Sequence, residues 1–314
     1  MGRALQTTLA SEVEIEGLGL HSGRPVRLRF RPAAADSGLV FVRTDANPSL
    51  RIQASVFYVV DTRRATALGR RGVRVCTVEH ALSALYALEI DNAEIECDAE
   101  ELPILDGSAA PYVSILRSAG TRELRRPRRF LTIRRPVEVR DGNRWARLLP
   151  SDELSVTYTL EYEHPLLRRQ TCSFKFLPGL GPMEYEREIA PARTFGFLHE
   201  VEGLLARGLA LGGSLANTVI IAERGVVNDD GLRFEDEFAR HKVLDVIGDL
   251  ALTGLPLRGR FEAERSGHTL HVRLIRELLD RPDSWEITEA VSPLALPLLP
   301  LRSRSVSRRI EARP

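Results

Sequence analysis

Lysine is nearly absent from this chain: Lys175 and Lys242 are the only two among 44 basic residues, the rest being arginine. Genome composition alone produces such a skew. Even so, a lysine kept in an arginine-rich chain marks a place where a compact ammonium serves better than a planar fork, and Lys242 stands next to His241. Cysteine is scarce as well. Cys76, Cys97 and Cys172 are odd in number, far apart and in no C-x-x-C arrangement. That argues against a disulfide framework or a thiolate zinc site and fits a reducing cytoplasm. Long apolar runs are also missing: no stretch approaches the roughly 18 residues that span a bilayer, and the N-terminus lacks the charged start and apolar core of a secretory leader. A cytoplasmic protein without an integral membrane segment is expected. Nor is there an excess of charge of either sign. A net charge of +1 and a pI near 7.8 give no reason to expect nucleic acid or an anionic membrane as partner, so an anionic ligand must be held by local charge.

What is present fits a soluble globular protein: 314 residues, 43% hydrophobic and 28% charged, enough for two ordinary domains and a large buried core. Up to Val60 the apolar residues alternate with polar ones, as in Val26 to Phe30, or form short runs such as Leu39 to Val42, which predicts strands. From Thr77, placed as an N-cap, the spacing of Val78, Ala81, Leu82, Leu85 and Leu88 predicts a helix. A strand at Ala93 to Cys97, a turn at Asp106-Gly107-Ser108 and a helix around Ala110 to Arg117 follow.

The arginine-rich segment Arg122 to Arg129 reads as a linker between a first domain, residues 1–126, and a second, residues 127–290. The second opens with strands at Leu131 to Arg140 and Leu154 to Tyr162. It then repeats the earlier plan with a helix at His241 to Leu252, a strand at Arg258 to Ala263, a turn at Ser266-Gly267-His268 and a helix around Leu270 to Leu279. His80 precedes Ser108 by nearly the same interval as His241 precedes His268. Two copies of one strand, helix, strand, turn, helix unit, packed face to face with a site between them, are therefore expected. The fold class is α+β, and residues 291–314 read as a flexible tail.

On a helical wheel at about 100° per residue, His241 falls at 0°, Asp245 at about 40°, Asp249 at about 80° and Lys242 at about 100°. Beyond Lys242 the arc between about 140° and 300° is apolar, so the polar groups form one narrow stripe on an otherwise buried rod. Buried carboxylates without partners cost several kcal/mol, so the stripe requires a cation or a salt-bridge network between helices. His and Asp at i and i+4 share one face, as two ligands of a single zinc do. Glu79-His80 opens another helix with little solvated face, and such a pair can supply a metal ligand and a neighbouring base. Together these point to a site of two histidines and one aspartate. His268 follows a glycine at a turn, and His21 lies in the glycine-rich Gly17 to Gly23. Each reads on its own as a loop residue, and the glycine spacing is not a dinucleotide fingerprint.

Thr77-Val78-Glu79-His80, Leu105-Asp106-Gly107-Ser108-Ala109-Ala110-Pro111, Ala192-Arg193-Thr194-Phe195-Gly196-Phe197, Leu211-Gly212-Gly213-Ser214 and Gly231 to Glu237 running into Arg240-His241-Lys242 form an ordered set. In this combination the chain, from Gly17 to about Ser284, resembles the UDP-3-O-acyl-N-acetylglucosamine deacetylase family. The resemblance implies two similar domains, each a two-layer helix-on-sheet sandwich, with the active site at the domain interface. It also implies hydrolysis of the acetamide of UDP-3-O-acyl-N-acetylglucosamine, the committed step toward lipid A.

By the same resemblance His80, His241 and Asp245 hold Zn2+, with Fe2+ an alternative in the cell, and Glu79 is the general base. His268 is the general acid, Asp249 orients it, and Thr194 lies beside the oxyanion. Lys242, Phe195 and His21 meet substrate. Leu198, Val201 and Ala210 belong to an acyl-chain tunnel built by the insert Phe197 to Ile221. Arg265 stands where related sequences often carry a diphosphate-binding lysine. The insert Phe176 to Met183 matches no family pattern. A monomer is expected. The rival readings are a non-catalytic nucleotide-sugar-binding protein and a deacetylase of another N-acyl sugar.

Overall fold

The computed structural model describes residues 3–177 and 179–290, and alternation along the chain explains its first sheet. Val26, Leu28 and Phe30 are buried, whereas Arg27, Arg29 and Arg31 between them point outward. Arg27 stands opposite Glu16, and Arg29 opposite Glu14 and Glu96, so the outer face is a ladder of opposite charges.

The first half begins with β1 (Leu5–Leu9), β2 (Val13–Leu18), β3 (Pro25–Pro32), β4 (Leu39–Arg43) and β5 (Arg51–Gln53). A small sheet of β6 (Val59–Asp61), β7 (Ala67–Arg70) and β8 (Val73–Val75) follows, then α1 (Glu79–Ala87), β9 (Ala93–Cys97), α2 (Ala110–Ala119) and β10 (Thr121–Pro127). The second half runs through β11 (Arg129–Ile133), β12 (Val137–Asp141), β13 (Arg144–Leu149), β14 (Ser155–Leu160), β15 (Gln170–Lys175) and α3 (Gly181–Glu188). It continues with β16 (Phe195–Phe197), α4 (Leu198–Leu205), β17 (Val219–Ala222), β18 (Gly225–Val226) and α5 (Glu237–Leu250). The last elements are β19 (Leu257–Arg258), β20 (Arg260–Glu264), α6 (His268–Leu279) and β21 (Trp285–Glu289).

The two large sheets have the same topology. Their orders are β2-β3-β9-β4-β5 and β12-β13-β20-β14-β15, and in each the only parallel pair joins the third and fourth strands. In each, one helix precedes the central strand and another follows it, as the repeated sequence plan predicts. Helix α2 lies on β2, α5 on β14 and β15, and α6 on β12 and β13, while α1 packs against α5. The fold is α+β, two similar halves each with helices on a sheet, joined through their helical layers. No helix among the described residues is long and apolar enough to cross a membrane.

Several expectations are corrected. The segment Arg122 to Arg129, read as a linker, is largely strand: β10 pairs antiparallel with β1 and its arginines are exposed. Thr77 does not cap α1. It takes a left-handed φ of 58°, and its hydroxyl donates to Glu101, leaving Val78 before the first helical turn. The stretch Leu131 to Arg140 is two strands, broken before Val137 at Pro136, whose nitrogen cannot join a ladder. The last helix begins at His268 itself, so this residue is helical and buried, not a turn residue in solvent. Part of the insert Phe176 to Met183 forms the start of α3. The expected tail, 291–314, lies outside the described residues.

Candidate metal centre and active-site cleft

Helices α1 and α5 pack against each other, and that contact assembles the centre. His80 from α1 and His241 and Asp245 from α5 are all buried, with one ligand atom from each lying within 4.8 Å of the others. Nε2 of His241 is 3.5 Å, and Nε2 of His80 3.7 Å, from Asp245 Oδ1. Ligand atoms sharing a tetrahedral zinc lie about 3.3 Å apart, so a small inward shift closes the set on one ion. The two imidazoles meet edge to face, with centroids 5.1 Å apart.

Protonation favours metal. Burial pushes the His241 imidazole down to about 3, which keeps it neutral. Its Nδ1 donates to the Ala192 carbonyl at 3.1 Å, which fixes the tautomer and turns Nε2 toward Asp245. Burial acts against the Asp245 carboxylate, but the Lys242 ammonium beside it outweighs burial and holds the group well below the usual range. Nδ1 of His80 is buried without a hydrogen-bond partner. Ligands of this kind accept either zinc or ferrous iron.

Beside the ligands stands a second chain of groups. Glu79 is buried, and its carboxyl is raised mainly by burial, with His268 and His80 pulling the other way. Its Oε2 accepts the Thr66 backbone N–H at 3.1 Å, and Oε1 lies 3.7 Å from His268 Nε2. His268 Nδ1 bonds Asp249 Oδ2 at 2.7 Å. Burial disfavours a charged imidazole, yet the carboxylates of Asp249 and Glu79 prevail and push His268 up to about 10. The arrangement pairs a buried carboxylate able to take a proton with an imidazolium able to give one.

These groups open into a cavity of about 780 Å³. Thr194 lines it, held by its N–H to the Gly107 carbonyl at 2.8 Å. Gly107 has φ 84°, and a Cβ there would overlap the Asn217 carbonyl oxygen, so glycine is required in that turn. Fully buried Arg193 bonds Glu237 through both its backbone N–H and its guanidinium, which anchors the Ala192 to Phe197 segment to the start of α5. Lys242 Nζ lies 5.3 Å from the centroid of the Phe195 ring and donates to Asp245 Oδ2 at 2.8 Å. Leu198, Val201 and Ala210 are apolar residues of its wall, in the insert that folds as β16, α4 and β17. His21 is on the wall as well, its backbone N–H held by Glu101.

Arg265 is the exception. It pairs with Glu161 at 3.0 Å and is not among the residues lining the cavity; its backbone is left-handed, φ 51°. Three further residues contribute. Thr66 and His271 both bond Asp249, and Glu101 clasps Thr77 and the His21 loop. His271 was visible in principle, three residues beyond His268 on the same helical face. Nothing local marks Thr66 or Glu101.

The model of the UDP-3-O-acyl N-acetylglycosamine deacetylase (LpxC) family matches residues 6–280. A UDP-3-O-acyl-N-acetylglucosamine deacetylase of Myxococcus xanthus (strain DK1622) is 47% identical over 285 residues, covering 91% of this chain and 90% of that protein. Those of Geotalea uraniireducens (strain Rf4) and Cellvibrio japonicus (strain Ueda107) are 45% and 43% identical, covering 92% and 96% of this chain and 93% and 99% of theirs. With that length of match added to the assembled cluster, the chain belongs to the UDP-3-O-acyl N-acetylglycosamine deacetylase family.

Proposed function

We propose that this protein is a cytoplasmic zinc deacetylase that hydrolyses the N-acetyl group of UDP-3-O-acyl-N-acetylglucosamine, releasing acetate and UDP-3-O-acylglucosamine on the route to lipid A. One observation carries the reading: a buried two-histidine, one-aspartate cluster with an acid and a base beside it opens into a cavity lined in part by the apolar Leu198, Val201 and Ala210. His80, His241 and Asp245 would hold the ion. When bound, zinc supplies Lewis acidity, which acidifies water and polarises an amide carbonyl.

The chain's own residues do the rest. Glu79 accepts a proton from the attacking water; its burial raises its basicity toward the working range. His268, kept cationic by Asp249, donates a proton to the nitrogen as the C–N bond breaks, so the amine leaves neutral. Thr194 offers its hydroxyl where negative charge develops on the carbonyl oxygen. Lys242 supplies positive charge toward the nucleotide phosphates, and the apolar wall at Leu198, Val201 and Ala210 takes the acyl chain. Arg265 would have to leave Glu161 to reach a diphosphate. The halves 1–126 and 127–290 contribute base and acid respectively.

The test is acetate release by zinc-reconstituted protein from UDP-3-O-acyl-N-acetylglucosamine of several acyl lengths, together with metal analysis. Stoichiometric zinc and turnover that depends on the acyl chain are expected. Tight binding without acetate release would favour a nucleotide-sugar binder, and equal rates on an unacylated sugar would favour another N-acyl substrate.

A further inference from the structure

We propose that Thr66 and His271 are positioning residues of the hydrolytic reaction, clamping Asp249 from two sides, and that Thr66 carries this alignment across the domain interface to Glu79. The inference rests on the deacetylase reading and extends it to two residues that need not touch substrate.

Asp249 is fully buried on α5. Its Oδ1 accepts from the Thr66 hydroxyl at 2.6 Å, and its Oδ2 accepts from Nδ1 of both His268 and His271 at 2.7 Å. His271 is a donor for a local reason. Its Nε2 meets the Ser266 hydroxyl at 2.8 Å, and with Ser266 donating, the ring proton stays on Nδ1. Burial lowers His271 and keeps it neutral, unlike its neighbour His268. One oxygen of Asp249 is therefore held by two rings and the other by a hydroxyl, so the carboxylate cannot rotate without breaking a bond to a buried donor.

Thr66 does more than occupy Oδ1. It lies in the first half, just before β7, while Asp249, His268 and His271 lie in the second. Its backbone N–H donates to Glu79 Oε2 at 3.1 Å, and its carbonyl accepts from the Val78 N–H at the head of α1. One residue thus bonds the proton-accepting carboxylate, the helix that carries it and the carboxylate that aims the proton donor. His268 Nε2 stays 3.7 Å from Glu79 Oε1 as a result. If the Asp249 carboxylate rotates, the His268 ring rotates with it, and a misplacement of about 1 Å can cost roughly 10²-fold in rate.

The experiment uses zinc-loaded full-length protein with UDP-3-O-acyl-N-acetylglucosamine, with acetate release, zinc content and Tm followed for each variant. T66V keeps the side-chain shape and the backbone N–H but loses the hydroxyl, and T66S restores it. H271L loses the donor, and H271N restores one. T66V and H271L should each lower kcat by about 10- to 100-fold with KM and zinc content unchanged, and T66S and H271N should recover most of the loss. On a D249N background, T66V should cost little more, because groups acting as one unit are not additive. Unchanged kcat in T66V and H271L would overturn the proposal. So would losses that appear in KM or zinc content, that the conservative variants do not restore, or that add in full to D249N. A wild-type protein that holds zinc but releases no acetate would instead sink the deacetylase reading, and this proposal with it.

Discussion

Gly248 of α5 lies directly against the Glu79 backbone of α1, so closely that a Cβ at 248 would overlap the Glu79 carbonyl oxygen. That contact sets the separation between the helix carrying His80 and the helix carrying His241 and Asp245. In G248A the methyl must push α1 away, at an overpacking cost of about 1–3 kcal/mol. Both a lower Tm and sub-stoichiometric zinc are expected. Full zinc binding at an unchanged Tm would show that the helices can yield without disturbing the centre.

Glu79 stands beside the ligand set and is not part of it. E79Q preserves shape and removes the proton acceptor, so zinc should stay bound while kcat falls by roughly 10²–10⁴. Metal analysis and steady-state acetate release on the same sample check both halves of the prediction.

His268 is pushed up to about 10, above the roughly 6.5 of a histidine in an unfolded chain. A group that holds its proton more tightly when folded stabilises fully below about 6.5, and that contribution disappears as pH rises through 10. In metal-free protein, the unfolding free energy of wild type minus that of H268Q should therefore be largest near about pH 6 and shrink steadily toward about pH 10. A pH-independent difference would contradict the assignment of the charge. Bound zinc adds positive charge nearby and should move the decline to lower pH.

Val201 lines the cavity. V201W fills space there, so KM for long-acyl substrates should rise by about tenfold or more, equivalent to roughly 1.4 kcal/mol of lost binding, while short-acyl substrates are little affected. Equal effects on both would place the acyl chain elsewhere.

Much of the centre is legible in the sequence, because periodicity reports which faces are buried. The stripe His241, Asp245, Asp249 on an apolar rod implied a partner for its charges, and the structure supplies one in His80 of α1. Boundaries fared worse where tertiary partners decide local conformation. Thr77 has a capping residue's chemistry, but Glu101 takes its hydroxyl. Arg122 to Arg129 has a linker's composition, but β1 offers it a ladder.

The sequence by itself determined the duplicated α+β plan, the candidate cluster His80, His241 and Asp245, and the family, since each depends on spacing within one segment or on the order of segments. Only the tertiary structure decided that Arg265 turns to Glu161, that Lys242 rests on Asp245 and Phe195, and that Thr66 and His271 converge on Asp249. Thr66 is separated from Asp249 by 183 positions along the chain. A hydrogen bond of 2.6 Å between them depends on how two helical layers pack, and no local pattern encodes that distance.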